Sequence, residues 1–158
     1  GWGSAVQTFV GQNLGAGQLL RAKRSGYWAA LYNTAIMALL AWAYVAWAGP
    51  IVGFFDAEPE VMSIAHSYLS WVAPSYVALG VGIVLGSVMQ GAGAPERALL
   101  IDACVVLFVQ IPASALVLSH PAHGITQVWL VVGVSYIALA LALLASYRRG
   151  SFLRAAQA

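Results

Sequence analysis

Charged residues are scarce in this sequence. Of its 158 residues, seven are Lys or Arg and five are Asp or Glu, whereas 61% of the chain is hydrophobic. Soluble domains usually carry about a quarter charged residues, because a folded chain needs a polar surface to meet water. This composition excludes an ordinary water-soluble monomer and makes lipid the expected solvent for most of the surface. The net charge of +2, with no basic tract, also argues against a nucleic-acid partner.

The chain also lacks the residue patterns that carry catalysis or bind metals. Cys104 is the only cysteine, which rules out an intrachain disulfide and a CxxC zinc motif. There is no GxSxG, no HExxH and no pair of acids within one apolar run. His66 has no second ligand at metal-binding spacing. We therefore expect no enzymatic activity, cofactor or metal site.

What the sequence does contain is long runs without charge. Asp, Glu, Lys and Arg are absent from residues 1–20, 25–55, 61–95 and 103–147. A membrane helix needs about 20 apolar residues, and the last run is long enough for two because His120, Pro121, His123 and Gly124 form a loop within it. The predicted spans are 1–15 (incomplete), 26–48, 62–90, 96–119 and 125–147, followed by a tail over 148–158.

These spans predict an all-α integral membrane fold with about five helices. Lipid offers no hydrogen-bond partners to the backbone, so only helices and closed barrels cross it. Strands of a membrane barrel alternate in polarity over about ten residues, and the apolar runs of this chain do not alternate.

The basic residues all fall on one side of the predicted spans. They are Arg21, Lys23, Arg24, Arg97, Arg148, Arg149 and Arg154. By the positive-inside rule that side is cytoplasmic. We therefore expect a multi-pass protein of the cell's inner (plasma) membrane, with the loops 16–25 and 91–95 and the C-terminus in the cytoplasm.

Two similar glycine-rich segments lie at this inner side. The first has small residues at the spacing used for helix contact in membranes, Gly11 and Gly15, followed by Gly17, and its Gln12 and Asn13 can bond to a neighbouring helix. The second comprises Gln90, Gly91 and Gly93, with Pro95 suited to the first turn of the next helix. The roles we favour for both segments are helix packing and helix termination. Because both contain a Gln and a Gly-Ala-Gly stretch, they also indicate two related hairpins.

Three stretches resemble a known transporter family. VGQNLGAGQLLRAKR, DAEPEVMSIAHSYLSWVAP and VMQGAGAPERALLIDACVVLFVQIP look like the second half of a multidrug and toxic compound extrusion (MATE) transporter. The similarity covers the whole chain and corresponds to roughly the eighth to twelfth helices of that family.

The resemblance implies an antiporter of twelve helices in two six-helix bundles, of which this chain is most of the second. Such a protein exports cationic or amphipathic organic compounds in exchange for sodium ions or protons. Its partners are then the lipid bilayer, the small organic cation and the N-terminal bundle of the same polypeptide. The chain starts without methionine, and we interpret it as part of a longer protein.

Polar residues inside the spans are candidates for a transport path. Six residues beyond Glu96, Asp102 is the only acid in the interior of a span, and an ionised side chain in lipid is costly enough to suggest function. The simpler interpretation, which we favour, is that Asp102 lies shallow and pairs with Arg97 or with the basic cluster at Arg21. Asn33 and Gln110 are further candidates, with helix-to-helix hydrogen bonds as the commoner explanation.

The family pattern is not complete here. Its coupling acids in the second bundle usually lie on the first helix, which this chain lacks, and on the fourth, which corresponds to 62–90 and contains no acid. Two alternatives to the antiporter therefore stay open. One is a small structural membrane subunit, and the other is a lipid-linked flippase of the same superfamily, against which the lack of Lys and Arg in the interior of the spans argues.

Overall fold

The computed structural model of the chain describes residues 1–55, 58–120 and 124–150. These residues form helices joined by short turns, and they contain no β-strand, which confirms the all-α class. Eight α-helices follow one another within these ranges: α1 (Trp2–Gly15), α2 (Leu19–Ala46), α3 (Ala48–Phe55), α4 (Pro59–Val72), α5 (Tyr76–Gly91), α6 (Pro95–Val105), α7 (Ile111–Leu118) and α8 (Ile125–Arg149).

Four helical stretches among the described residues are long and apolar enough to cross a membrane. They are Leu19–Ala46, Pro59–Gly91, Pro95–Leu118 and Ile125–Arg149. The second and third each contain two α-helices joined without a loop. Helix α1 has 14 residues, fewer than the roughly 20 that a span requires. Each expected span from residue 26 onward overlaps one of these stretches, and the incomplete first span overlaps α1.

Prolines explain both interruptions. A 3₁₀ turn over Ala73–Ser75 separates α4 from α5 at Pro74, and a π turn over Val106–Gln110 precedes Pro112 in α7. Proline has no backbone N–H, and its ring collides with the carbonyl four residues earlier, so the regular helical bonding is lost there. The positions of the two prolines in the sequence therefore indicate both interruptions.

The predicted loop over 16–25 is mostly helical. Helix α2 begins at Leu19, so Arg21, Lys23 and Arg24 lie in its first two turns, and only 16–18 are outside a helix. Leu, Arg, Ala and Lys are strong helix formers, which extends α2 beyond the apolar run that marks the span. At the other expected loop, α5 ends at Gly91 and α6 begins at Pro95, so only 92–94 are non-helical.

The two glycine-rich turns have the same hydrogen bonds. In the first, Gly17 N–H donates to Leu14 C=O at 2.9 Å and Gln18 N–H to Asn13 C=O at 2.7 Å. The second repeats this pattern.

In that second turn, Gly93 N–H donates to Gln90 C=O at 3.0 Å and Ala94 N–H to Met89 C=O at 2.9 Å. Both central glycines have positive φ, 71° at Gly17 and 77° at Gly93, as a left-handed helix cap requires. Equivalent turns therefore connect the two helices of the hairpins α1–α2 and α5–α6.

Helix α5 is the centre of the bundle, with α1, α2, α6 and α8 packed around it. Its side chains Val84, Leu85, Val88 and Met89 are buried. They meet buried residues of α1, α2 and α8, among them Val6, Val10, Ala22, Ala29 and Leu143. Because lipid is as apolar as these side chains, close van der Waals packing holds the helices together.

Two contacts bring the basic residues to one end of the bundle. The Tyr147 hydroxyl, near the end of α8, donates to the Lys23 carbonyl at the start of α2. The C-terminal ends of α1 and α5 also meet, where a Cβ on Gly11 would lie 3.3 Å from the Gly91 carbonyl oxygen. The described Lys and Arg residues therefore share one end; Arg154 and the tail over 151–158 lie outside the described residues, as do 56–57 and 121–123.

Candidate functional site

A groove around Asp102 lies between α5, α6 and α8. Its volume is about 350 Å³, within the usual range for small-molecule sites. Its walls are mostly apolar, and three polar side chains, Ser87, Gln90 and Asp102, contribute to its lining. The apolar part is formed by Leu79, Gly82, Ile83, Gly86, Ala98, Leu99, Leu139 and Leu143.

Glycines on α5 set the width of this groove. A Cβ at Gly82 would lie 3.5 Å from Leu139 of α8, and one at Gly86 would lie 3.8 Å from Ala98 of α6. Asp102 follows Ala98 by four residues, so the two share one face of α6. Because Ala98 faces Gly86, the Asp102 side of α6 is turned toward α5.

Asp102 is exposed in the groove, and no ion pair within 4 Å joins it to another described residue. The favoured pairing with Arg97, or with the cluster around Arg21, is therefore not made in this part of the chain. Helix geometry explains the first case, because five residues rotate a side chain by about 140° around the axis. Arg97 and Asp102 consequently face different directions.

The other two candidate path residues do not join this groove. Asn33 is buried where α2 crosses α5, and its Nδ2 would lie 2.5 Å from a Cβ on Gly80. Gln110 is half-buried at the end of the π turn. Gly80 and Gly82 are two residues apart, about 200° around α5, so Asn33 and Asp102 approach opposite sides of that helix.

The first glycine segment combines several roles. Gly11 lies at the α1–α5 crossing, whereas a Cβ on Gly15 would have no neighbour within 4 Å among the described residues. The expected contact role of Gly15 therefore does not appear in this part of the protein. Gln12 is exposed, and Asn13 donates from Nδ2 to the Phe9 carbonyl of its own helix at 2.7 Å.

In the second segment, Gly91 packs more tightly than Gly11. A Cβ at Gly91 would lie 2.4 Å from the Gln7 carbonyl oxygen and 2.9 Å from Gln7 Cα. Gln90 lines the Asp102 groove, and Pro95 begins α6. Ser87 was missed from sequence, although its position three residues before Gln90 places both on one side of α5; its hydroxyl donates to the Ile83 carbonyl at 2.9 Å.

Within the described ranges, no group of three or more His, Cys, Asp or Glu residues is close enough to hold a metal ion. Asp102 is accordingly a single carboxylate in apolar surroundings. Such a group can attract one organic ammonium ion, one alkali cation or one proton.

The helices and this groove define a multi-pass, all-α membrane protein. The MatE family model matches residues 1–116, and the chain belongs to that family. This agrees with the resemblance seen in the three sequence stretches.

Three curated proteins match parts of this chain. The chain is 27% identical over 113 residues to the "FAD transporter" of Shewanella oneidensis. This alignment covers 72% of the chain and 25% of that protein. It is 33% identical over 94 residues to "Protein DETOXIFICATION 33" of Arabidopsis thaliana, covering 57% and 18%. It is 27% identical over 151 residues to "Probable multidrug resistance protein YpnP" of Bacillus subtilis, covering 94% and 33%.

The chain thus spans between about a fifth and a third of the length of these curated relatives. No solved structure matches it significantly.

Proposed function

We propose that this chain is most of one helical bundle of a secondary active exporter in the plasma membrane, with its basic end in the cytoplasm. The exporter moves cationic or amphipathic organic compounds outward in exchange for sodium ions or protons. A second bundle, supplied by further residues of the same polypeptide, completes the transport path. Membership of the MatE family and the relatives' names support transport as the activity.

The observation that carries this proposal is the position of Asp102. Its carboxylate lies in an apolar groove and has no ionic partner among the described residues. Apolar walls accept the hydrocarbon part of a lipophilic cation, and the carboxylate neutralises its charge. An aliphatic or aromatic ammonium compound therefore matches both properties of the groove.

A single carboxylate is also enough to couple export of the organic cation to entry of a proton or sodium ion. A bound proton or sodium ion neutralises Asp102 and removes the attraction for an organic cation. The two ligands therefore compete, and rocking of the bundles exchanges one for the other across the membrane. The polar atoms of Ser87 and Gln90 lie in the same groove and are available to a partly desolvated sodium ion.

The test uses the complete protein, expressed in cells deficient in efflux pumps and loaded with ethidium. We expect the wild type to lower dye retention, the Asp102→Asn variant to lose this activity and Asp102→Glu to keep part of it. Glu96→Gln is the matched control, because Glu96 lies on the same helix outside the lining of the groove. Unchanged efflux by Asp102→Asn would remove Asp102 from the mechanism.

Proteoliposomes identify the coupling ion. With the purified complete protein, dye uptake driven by a sodium gradient at equal pH is compared with uptake driven by a proton gradient without sodium. Residues 1–158 alone should give no dye movement, since the second bundle is absent. No dye movement by the complete protein under either gradient would overturn the exporter proposal.

A further inference from the structure

A second groove lies at the basic end of the bundle, between α1 and α2. Its volume is about 450 Å³. From α1 it is lined by Trp2, Ala5, Val6, Phe9 and Asn13, and from α2 by Arg21, Arg24, Ser25, Trp28, Ala29 and Tyr32. Both sets recur at three- and four-residue spacing, so each is one face of its helix. None of these residues lines the Asp102 groove.

Two arginines lie at the turn end of this groove. Arg21 and Arg24 are three residues apart on α2 and are both exposed. Arg21 donates from Nη1 to the Gln18 side-chain oxygen at 3.0 Å. Neither arginine has a carboxylate within 4 Å among residues 1–55, 58–120 and 124–150. The protein therefore leaves two positive charges at this site without an internal counter-ion there.

The opposite end of the groove is aromatic. The Trp2 and Tyr32 rings stack with centroids 6.2 Å apart, and Trp28 stacks on Tyr32 at 6.1 Å. Tyr32 follows Arg24 by eight residues, about 12 Å along the helix axis. The lining of the groove therefore changes along α2, from cationic at the first turn of the helix to apolar and aromatic further on.

We propose that this groove binds an anionic phospholipid from the leaflet at the basic end of the bundle. The lipid phosphate contacts Arg21 and Arg24, which can each form charge-assisted hydrogen bonds to its oxygens. The first acyl-chain segments lie along Phe9, Trp28 and Tyr32. Basic pockets between membrane helices on the cytoplasmic side commonly hold anionic headgroups, and the positive-inside rule places this groove there.

The order of cationic and apolar groups along the groove favours a lipid over the exporter's cargo. A phospholipid presents phosphate at the interface and hydrocarbon deeper in the membrane, which is the order of groups in the groove. An organic cation would meet two positive charges at the mouth and be repelled. The lipid site is separate from the proposed transport role of Asp102, so either proposal can fail without the other.

Native mass spectrometry of the purified complete protein in detergent tests the charge requirement. Phosphatidylglycerol and phosphatidylcholine with identical acyl chains are titrated separately. We expect phosphatidylglycerol to bind more tightly, and the double variant Arg21→Gln/Arg24→Gln to lose roughly tenfold in that affinity. The control, Arg148→Gln/Arg149→Gln, removes the same charge at the same end of the bundle and should leave binding near the wild-type value.

Three outcomes would overturn the proposal. One is equal binding of phosphatidylcholine, and another is an equal loss in the control variant, since general surface charge then explains the affinity. The third is displacement of the lipid by millimolar inorganic phosphate, which would make the site one for a free anion. Circular dichroism and gel filtration show whether each variant keeps its helices and its size.

Tryptophan quenching tests the acyl-chain part even if the arginine variant misfolds. Phosphatidylglycerol brominated on its acyl chains is added to the protein in phosphatidylcholine bilayers. The variant Trp2→Phe/Trp28→Phe should lose more of the added quenching than Trp42→Phe/Trp47→Phe, whose rings lie near the other end of α2. Equal losses would contradict a lipid in this groove.

Discussion

Tyr147 and Lys23 join the last turns of α8, the final helix of the described residues, to the start of α2. The Tyr147 hydroxyl donates to the Lys23 carbonyl across a separation of 124 residues. The Tyr147 ring is buried and also fills the space at Gly26, where a Cβ would lie 3.0 Å from the hydroxyl oxygen. This single side chain therefore joins α8 to α2 at the basic end of the bundle.

Replacing Tyr147 by Phe should destabilise the protein by about 1 kcal/mol, because the hydrogen bond is lost while the ring remains. Thermal unfolding of the purified protein in detergent measures the change. Tyr27→Phe is the control, since Tyr27 is exposed on α2 and should change little. Equal melting temperatures for wild type and Tyr147→Phe would show that the bond contributes no net stability.

Gly91→Ala should be strongly destabilising, by roughly 2 kcal/mol or more. The added methyl group meets the backbone of Gln7, which can move only if α1 and α5 separate. Gly15→Ala is a matched control from the equivalent Gly-Ala-Gly turn, where the methyl group meets nothing within 4 Å in the described chain. Detergent stability of both variants is compared by gel filtration after heating. Similar losses would contradict the close crossing.

Gly17→Ala and Gly93→Ala should each cost about 1 to 2 kcal/mol, because both glycines have left-handed backbone angles that a Cβ disfavours. Since the two turns have equivalent hydrogen bonds, the two losses in unfolding free energy should be alike. Asn tolerates this conformation better, so the Asn variants should recover part of the stability. A loss at only one of the two turns would argue against their equivalence.

Gly80→Ala should destabilise the α2–α5 contact, and its effect should depend on Asn33. A Cβ at Gly80 would collide with Asn33 Nδ2 at 2.5 Å and Met37 Cγ at 2.8 Å. Both are side-chain atoms that can move, so the loss should be smaller than at Gly91.

In an Asn33→Ala background the same substitution should cost less, with a coupling energy of about 0.5 kcal/mol or more. A double-mutant cycle of thermal stabilities measures this coupling. Strict additivity of the two substitutions would mean that Met37 alone opposes the methyl group.

Much of the secondary structure follows from local properties of the sequence. Lipid restricts the spanning backbone to helices or closed barrels, the long apolar runs without alternation mark the helical spans, and Pro74 and Pro112 mark where two of these spans are interrupted. Gly17 and Gly93 mark the turns because few other residues adopt their backbone angles. The start of α2 at Leu19 is harder to predict from the sequence. Hydropathy marks only the lipid-facing segment, and the helix propensity of the residues before it extends the helix further.

The sequence by itself determined that this is a helical membrane protein with its basic residues on one side and the motifs of its family. Only the tertiary structure decided which residues meet: Gly11 with Gly91, Asn33 with Gly80, and Asp102 with the groove between α5, α6 and α8 rather than with Arg97. The physical reason is that hydropathy and turn chemistry act over a few neighbouring residues. Contacts between helices depend on how each helix is rotated, and that rotation is set by packing partners far away in the chain.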